Sequence, residues 1–359
     1  MTVPKGYFKH GVVFTAGITA GLLALTGCAG GSSDAGDGSA NSEKTVRIVT
    51  HDSFPAEDFA KAASEATGYT VEVVAAGDGG ELTNKLVLTK DKPIADLFYG
   101  VDNYFASRLV DEDVVTAYTP AGLPESAKEF NYDDSGSLTP IDEGAVCVNI
   151  DPAWFAEKGI AEPVTYEDLT KEEYKGLTVA MDPAGSSTGM AFLAGTVSKF
   201  GEDGFADYWK QLVANDVRIE QGWTEAYNGQ FTQGGESGKK PIVVSYASSP
   251  AWTVNDDETE TSTKALLETC SSQVEYAGIL KGAENVEGAK AVIDYMVSVD
   301  FQNTIAESMY VYPVHSEAEV PEVWQKFAPK PTTRHDLSAA KIGESREAWL
   351  KTWSDAVAE

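Results

Sequence analysis

The residues that follow Lys44 alternate between short β-branched runs and longer amphipathic stretches, and this alternation constrains the fold most strongly. Strand character is found in three runs: residues 46–50, 71–74 and 94–98. Helical spacing is found in two stretches between them: residues 54–66 and 79–88. Gly68 stands where the first of these helices should end. A strand–helix–strand–helix–strand order predicts a parallel α/β sheet.

A second α/β region begins near Cys147. Its predicted strands are residues 177–180 and 242–246, and its predicted helix is residues 190–200. After this region we expect a strand at residues 274–280 that returns to the first region. Two helices, at residues 288–297 and 345–357, should follow that strand. Two α/β halves joined by at least two extended crossings predict a two-lobed clamshell, with a ligand cleft beyond the carboxyl ends of its strands. We expect three segments: lobe 1 at 45–141, lobe 2 at 142–274 and the return to lobe 1 at 275–359.

The first 27 residues have the pattern of a secretory signal peptide. Lys5 and Lys9 precede an apolar run that starts near Val12. This run is shorter than the roughly 20 apolar residues that a transmembrane helix needs. Residues 25–28, Leu-Thr-Gly-Cys, resemble the bacterial lipobox, in which the cysteine is lipidated and becomes the mature N-terminus.

This pattern predicts a leader at 1–27 and a flexible linker at 28–44, with Cys28 as the lipidated residue. The linker is rich in Gly, Ser, Asp and Ala, as flexible spacers are. We therefore expect a lipid-anchored protein on the extracytoplasmic face of the cell membrane. A plain signal peptide with an incidental cysteine is the alternative.

The formal net charge of the chain is −29 at pH 7. Such a charge disfavours nucleic acids and anionic surfaces as partners. It favours cationic small molecules, which the field of the protein attracts over long distances. The same charge also keeps a protein soluble, so it narrows the class of ligand without identifying it.

Cys147 and Cys270 are the two cysteines that remain after lipidation of Cys28. Two cysteines in an exported protein more often form a disulfide than stay free, so we expect a bond between them. Two separately buried thiols are the alternative.

The sequence favours binding over catalysis. We expect no serine-nucleophile elbow, no phosphate-binding Walker loop and no zinc-binding helix. The four histidines are not spaced as a metal pair, and the cysteines lack Cys-x-x-Cys spacing. The chain is therefore predicted to be neither an enzyme nor a metalloprotein, with a hydrolase kept as a remote alternative.

Several residues are candidates for ligand binding. Ser186 and Ser187 precede a predicted helix, where hydroxyls and amides hold an anion or a ligand hydroxyl, or simply cap the helix. Trp223 follows a glycine, and Tyr246 ends a predicted strand, although an aromatic in a strand is more often core. Asp102 ends another strand, where it either pairs with a cation or forms an Asx turn. Aromatic faces beside a carboxylate suit a delocalised cation.

Six stretches occur in an order that resembles the thiamine-binding lipoproteins of ABC importers, within the type II periplasmic-binding-protein fold. The resemblance extends over essentially all of the chain after the linker, and its matching stretches are residues 50–54, 100–103, 182–189, 222–227, 245–250 and 312–314. The specific part is the pair Gly-Trp-Thr-Glu-Ala-Tyr at 222–227 and Ser-Tyr-x-x-Ser-Pro at 245–250.

The resemblance implies a cationic vitamin, thiamine or its phosphate esters, held between the lobes without a cofactor. Trp223 and Tyr246 would stack on its rings, Asp102 would offer a carboxylate, and Ser186 and Ser187 would lie near the hydroxyethyl or phosphate end. The full set of implied ligand-binding residues is His51, Asp52, Asp102, Ser186, Ser187, Trp223, Tyr227, Tyr246, Ser249 and Tyr310. The implied partners are an ABC permease and its cytoplasmic ATPase, with the binding protein itself a monomer.

Two of these residues depart from the family pattern. Tyr310 stands where tryptophan is frequent, and it can still stack. His51 replaces a tyrosine, and a protonated imidazole would oppose a thiazolium, which predicts weaker binding at low pH.

Alternatives within the same fold are a polyamine-binding or a ferric-ion-binding protein. Asp52, Asp102 and Glu225 keep the polyamine alternative open. Tyr246 is followed by Ala247, whereas ferric-ion binders tend to use adjacent tyrosines. A cleft enzyme with a free cysteine and a sensor subunit for a membrane kinase are further alternatives.

Overall fold

The structure is a computed structural model that describes residues 44–235 and 237–358. The leader, Cys28 and most of the linker lie outside the described residues, so the predictions made for them stay predictions. No helix in the described part of the chain is long and apolar enough to cross a membrane.

The described strands form one curled, mixed sheet in the order β2-β1-β3-β9-β5-β8-β6-β7. Their bounds are β1 Thr45–Thr50, β2 Thr70–Ala75, β3 Leu97–Asp102, β4 Val115–Thr116, β5 Thr139–Ile150, β6 Thr178–Met181, β7 Arg218–Glu220, β8 Ile242–Tyr246, β9 Lys264–Leu280 and β10 Tyr312–Pro313. At one end β1 pairs in parallel with β2 and β3, and at the other β6 pairs in parallel with β7 and β8. Both ends therefore have the parallel pairing that the alternating pattern predicts.

The described α-helices pack against this sheet and against one another. Their bounds are α1 Ala56–Thr67, α2 Gly79–Leu88, α3 Ala106–Asp111, α4 Pro152–Lys158, α5 Ser187–Phe200, α6 Phe205–Ala214, α7 Ser249–Trp252, α8 Val286–Met296, α9 Val299–Ser308, α10 Glu322–Phe327 and α11 Ala339–Val357. Shorter helical turns cover Glu125–Phe130, Glu167–Thr170, Glu172–Tyr174 and, as a π-helix, Glu225–Gln230.

Two long strands connect the two ends of the sheet. β5 has 12 residues and β9 has 17, and they pair with each other in antiparallel fashion. β9 also pairs with β3, while β5 pairs with β8. The sequence predicts at least two extended crossings without locating a strand at β5, and these two long strands form such crossings between two α/β halves of the sheet. The bounds proposed for the lobes stay a prediction.

Several local predictions are confirmed. The helix predicted at 79–88 has those bounds, and Gly68 ends α1 in the left-handed conformation with φ of 74°. The third strand begins at Leu97, later than predicted, and continues to Asp102. The sequence patterns do not predict helices α6 and α9. They also do not predict β5, because Asp142 and Glu143 interrupt the apolar pattern of this strand, although all 12 of its positions are buried.

The two remaining cysteines meet on the crossing strands. Cys147 of β5 and Cys270 of β9 have their Cα atoms 4.2 Å apart and their sulfur atoms 2.06 Å apart, at disulfide distance. Both side chains are buried, in a small cluster with Ala145 and Ala247.

Candidate functional site

Strand ends and helix starts from both halves meet where the halves contact each other, a region that we call the cleft. From the first half come His51 and Asp52 after β1, Asp78 at the start of α2 and Asp102 at the end of β3. The second half contributes the start of α5, the turn at residues 222–227 and the end of β8. This is the edge of the sheet at which ligands bind in α/β folds.

Asp78 joins the two halves across the cleft. Its Oδ1 accepts hydrogen bonds from the backbone N–H of Gly79, at 2.6 Å, and of Ser187, at 3.0 Å. Its Oδ2 accepts from the N–H of Trp223, at 3.0 Å. One carboxylate therefore caps its own helix and holds two backbone groups of the opposite half. Our sequence analysis did not include Asp78 among the site residues, although an aspartate before Gly-Gly at a helix start is a capping signal.

Two glycines allow this close approach. A Cβ on Gly79 would lie 2.1 Å from Ser187 Oγ, and one on Gly80 would lie 2.6 Å from the carbonyl oxygen of Ala184. The N–H of Gly80 donates to the carbonyl of Gly185 at 2.9 Å. The starts of α2 and α5 are thus in direct contact, as in a closed clamshell.

Asp102 has one of the two roles that its position at a strand end suggests, the Asx turn, and its pairing with a cation stays a prediction. Its Oδ1 accepts from the backbone N–H of Tyr104 at 2.8 Å and of Phe105 at 3.3 Å, which makes an Asx turn. Its Oδ2 is buried and has no hydrogen-bond partner. Burial raises the pKa of Asp102 to about 7, against the lowering effect of the nearby Ser187 hydroxyl. The free oxygen faces the start of α5.

The motif at 222–227 forms an aromatic stack. The rings of Trp223 and Tyr227 are 4.9 Å apart at an interplanar angle of 14°. Trp223 Nε1 donates to Ser245 Oγ at 2.9 Å, and Ser245 Oγ lies 2.8 Å from Ser249 Oγ. Ser249 Oγ also accepts from the backbone N–H of Tyr246, so it holds the strand end beside the tryptophan.

Tyr246 lies half-buried at the end of β8. Gly144 leaves room for its ring, because a Cβ there would come within 3.4 Å of Tyr246 Cδ1. Burial first, and then the charges of Glu275 and Asp78, raise the pKa of Tyr246 well above its usual value. The tyrosine is therefore a neutral aromatic surface in acidic surroundings.

The histidine at the end of β1 packs on the first half. His51 Nδ1 lies 2.9 Å from Ser53 Oγ, and its Nε2 lies 3.8 Å from Glu275 Oε1. Gly100 makes space for the ring, since a Cβ there would be 2.2 Å from His51 Cδ2. Asp52 lies next to it, where partial burial of the carboxyl and then the Asp78 charge raise the pKa of Asp52.

Beneath the histidine lies a group of acidic side chains that the sequence analysis missed. Tyr99 donates to Asp142 and shares its hydroxyl with Glu275, whose Oε2 is 2.9 Å away. Asp142 and Glu275 face each other on the crossing strands. Burial and the neighbouring Glu275 charge raise the pKa of Asp142 well above its usual range. This acidic group is therefore buried between the crossing strands and β3.

Tyr310 lies in a different aromatic cluster. Its ring packs edge-on against Trp252 at 4.7 Å and stacks on Trp324 at 6.0 Å. Its carbonyl accepts from Ser248 Oγ, which connects this cluster to the segment after β8. No described contact joins its ring to Trp223 or Tyr246. Its stacking on a ligand stays a prediction.

Ser186 caps α5, since its Oγ accepts from the N–H of Gly189 at 3.3 Å. Ser187 Oγ is buried and has no hydrogen-bond partner. The two adjacent serines thus divide the roles of helix cap and free hydroxyl.

The expectation that the chain lacks a serine-nucleophile pattern is wrong, because residues 185–189 read Gly-Ser-Ser-Thr-Gly and lie between β6 and α5. In the described residues, however, no hydrogen bond links Ser187 to a histidine. The His51 ring contacts Ser53 Oγ instead, and the His335 ring contacts the carbonyl of Glu268.

Unpaired buried polar atoms concentrate around the cleft. Within the described residues they include His51 Nε2, Asp102 Oδ2, Asp142 Oδ1, Ser187 Oγ, Tyr227 Oη and both amide atoms of Gln273. Each such group costs about 1–3 kcal/mol when it is left unpaired. This set, with its carboxylates and aromatic faces, is suited to a polar, cationic, ring-containing ligand. Residues 44–235 and 237–358 contain no cluster of three or more side chains that could hold a metal ion.

A curled α/β sheet with two crossing strands and a cleft between its halves defines a type II periplasmic-binding-protein fold. A family profile described as a bacterial extracellular solute-binding protein matches residues 92–338. The chain belongs to this family.

Comparisons with individual proteins agree. The thiamine-binding periplasmic protein of Escherichia coli (strain K12) is 28% identical over 323 residues, which cover 87% of this chain and 93% of that protein. The solved structure of a periplasmic thiamin binding protein superimposes with a TM-score of 0.76 at 25% identity, covering 88% of this chain and 96% of the other. Apo ferric ion-binding protein A of Pasteurella haemolytica shares the fold, with a TM-score of 0.68 at 18% identity over 87% of this chain and 98% of its own. The resemblance to thiamine-binding proteins inferred from the motifs is confirmed.

Proposed function

We propose that this protein captures thiamine, or a phosphate ester of thiamine, outside the cytoplasmic membrane and delivers it to an ABC permease. The observation that carries the proposal is the free oxygen of buried Asp102 in a cleft whose aromatic surfaces are Trp223 and Tyr246. A thiazolium cation gains from both a carboxylate and aromatic faces. The thiamine-binding relative from Escherichia coli, similar over 87% of the chain, supports the same ligand.

The proposed mechanism is capture by closure of the two halves. Asp78 holds Ser187 and Trp223 in the arrangement described here, so separation of the halves would break both interlobe bonds and open the cleft. Closure after binding is the hinge motion of two-lobed binding proteins. The closed form would dock on the permease, whose transport the cytoplasmic ATPase drives. Binding and release complete this cycle without a chemical step on the ligand.

We further propose that Cys28 carries a lipid and that Cys147 and Cys270 form a disulfide. A lipid anchor would keep a monomeric binding protein near its permease and raise its effective concentration there. The disulfide would join the two crossing strands inside the second half.

The experiment that tests the ligand is isothermal calorimetry on the purified full-length protein. Thiamine, thiamine monophosphate, spermidine and ferric citrate are titrated separately under the same conditions. Saturable one-to-one binding of thiamine or its ester supports the proposal. Binding of spermidine or ferric citrate in place of thiamine would transfer the chain to the corresponding alternative within the same fold.

A further inference from the structure

Gln273 is a buried residue of the crossing strand β9 with an unsatisfied amide. The residue is 1% exposed. Neither its Oε1 nor its Nε2 has a hydrogen-bond partner among the described residues. Buried amides are almost always hydrogen-bonded, and an unpaired one destabilises the protein that contains it. A bound ligand could therefore supply the hydrogen-bond partners that the Gln273 amide lacks among the described residues.

The geometry of the sheet directs this amide into the cleft. Gln273 pairs with Gly144 of β5, and directly opposed residues of an antiparallel pair share one face of the sheet. On that face a Cβ at Gly144 would touch the ring of Tyr246, 3.4 Å away. The amide also lies close enough to the Tyr246 hydroxyl to lower its pKa, although no hydrogen bond of normal geometry joins them.

Gln273 differs in charge from its surroundings. The groups that act on Tyr246 beside it are the carboxylates of Glu275, Asp78 and Asp102. Carboxylates attract a cation, but in their ionised form they only accept hydrogen bonds. The Gln273 amide both donates and accepts, so it suits a neutral part of the ligand with a donor next to an acceptor.

We propose that Gln273 is a specificity-determining residue, whose amide forms a paired hydrogen bond with an amino group and the adjacent ring nitrogen of the ligand. This inference rests on the proposed function, because thiamine carries such an aminopyrimidine edge. Glutamine pairs in the same way with the amino group and ring nitrogen of adenine. The acidic groups then hold the cationic ring while Gln273 identifies the neutral one.

The test compares two ligands on two matched variants. Thiamine is titrated beside 3-benzyl-5-(2-hydroxyethyl)-4-methylthiazolium, which keeps the cation but has a benzyl ring in place of the aminopyrimidine. Gln273→Leu removes the amide at similar volume. Gln302→Leu is the control, because the Gln302 amide is buried but already donates to the carbonyls of Ile141 and Met296.

We expect Gln273→Leu to weaken thiamine binding at least tenfold and benzylthiazolium binding less than twofold. The melting temperature of the ligand-free Gln273→Leu protein should rise or stay unchanged, since an unpaired amide is removed. Gln302→Leu should lower the melting temperature and leave the ratio of the two affinities unchanged.

If Gln273→Leu weakens the binding of both ligands equally, or of neither, the proposed role of Gln273 is overturned. Thiamine binding to the wild-type protein would still support the proposed function in that case. A wild-type protein that does not bind thiamine would overturn both, and this failure is recognised before any variant is measured.

Discussion

The carboxylate of Asp78 accepts a hydrogen bond from the backbone N–H of Ser187, a residue of the opposite half. The same side chain holds Trp223, so the capping residue of one helix also positions two predicted ligand-binding residues. In the proposed mechanism, closure of the halves and assembly of the binding site would therefore be the same structural event.

Replacement of Asp78 should shift the protein toward an open form. Asp78→Ala removes two interlobe hydrogen bonds to a charged group, each contributing about 1.5–3 kcal/mol. We expect a larger radius of gyration in small-angle X-ray scattering and ligand affinity at least about tenfold weaker.

Asp151→Asn is the control for this experiment. Asp151 caps α4 and bonds Thr232 and Gln233 within the second half, so its loss should lower stability without a change in dimensions. An Asp78→Ala protein with unchanged scattering and affinity would contradict the role of this residue in closure.

Asp102 should make ligand binding dependent on pH. Burial raises its pKa to about 7, so much of it is protonated in the ligand-free cleft at neutral pH. A cation beside it favours the ionised form, so binding releases a proton and affinity rises with pH until it levels off above about 7. Calorimetry in two buffers of different ionisation enthalpy measures the released proton.

Variants identify the group responsible for this dependence. Asp102→Asn should abolish the proton release, whereas His51→Gln should retain it. The reverse pattern would assign the effect to His51, and affinity that is flat from about pH 5 to 8 would exclude both residues.

The burial of Asp102 also makes the stability of the ligand-free protein depend on pH, and this stability falls with rising pH whereas ligand affinity rises. The native state holds the Asp102 proton between the unfolded pKa of about 3.9 and about 7, so stability from this group falls as pH rises through that range. The full contribution is on the order of 4 kcal/mol, at about 1.4 kcal/mol per pH unit. Asp102→Asn should flatten the curve of unfolding free energy against pH in this range, and an unchanged curve would contradict the raised pKa.

The Cys147–Cys270 pair should be oxidised in the exported protein. It would close a loop with a sequence separation of 123, for which chain entropy gives about 4–5 kcal/mol of stabilisation. Alkylation without prior reduction should add no mass at these cysteines, and reduction should lower the melting temperature. Two alkylated thiols in the unreduced protein would contradict the bond.

Cys28 should determine membrane attachment. Cys28→Ala removes the lipidated thiol, so the protein should move from the membrane pellet to the soluble fraction of fractionated cells. Retention of the variant in the membrane pellet would contradict the lipid anchor.

Sequence patterns predict most of the fold because they act locally. Gly68 ends α1 and residues 79–88 form α2 as their spacing indicates. β5 was missed since its buried Asp142 and Glu143 are tolerated only through distant partners, Tyr99 and Lys330. A one-dimensional pattern contains no information about those partners.

The site was only partly predictable for a related reason. Trp223, Tyr246 and Asp102 belong to recognisable motifs at strand ends and turns, and the structure brings them to one cleft. Asp78 and Gln273 acquire their importance from contacts, or missing contacts, with the opposite half and the neighbouring strand. Tyr310 supplies an aromatic ring where the family pattern has tryptophan, but this ring packs against Trp252 and Trp324.

The most direct test of the account is a calorimetric titration of thiamine into wild-type protein and into Trp223→Ala and Asp102→Asn variants at pH about 8, above the pKa of Asp102. We predict saturable one-to-one binding to the wild type and at least about tenfold weaker binding to each variant, because each loses a cation-binding surface. Wild-type affinity in both variants, or absence of thiamine binding to the wild type, would contradict the claim that a cationic ring is held between Asp102 and Trp223.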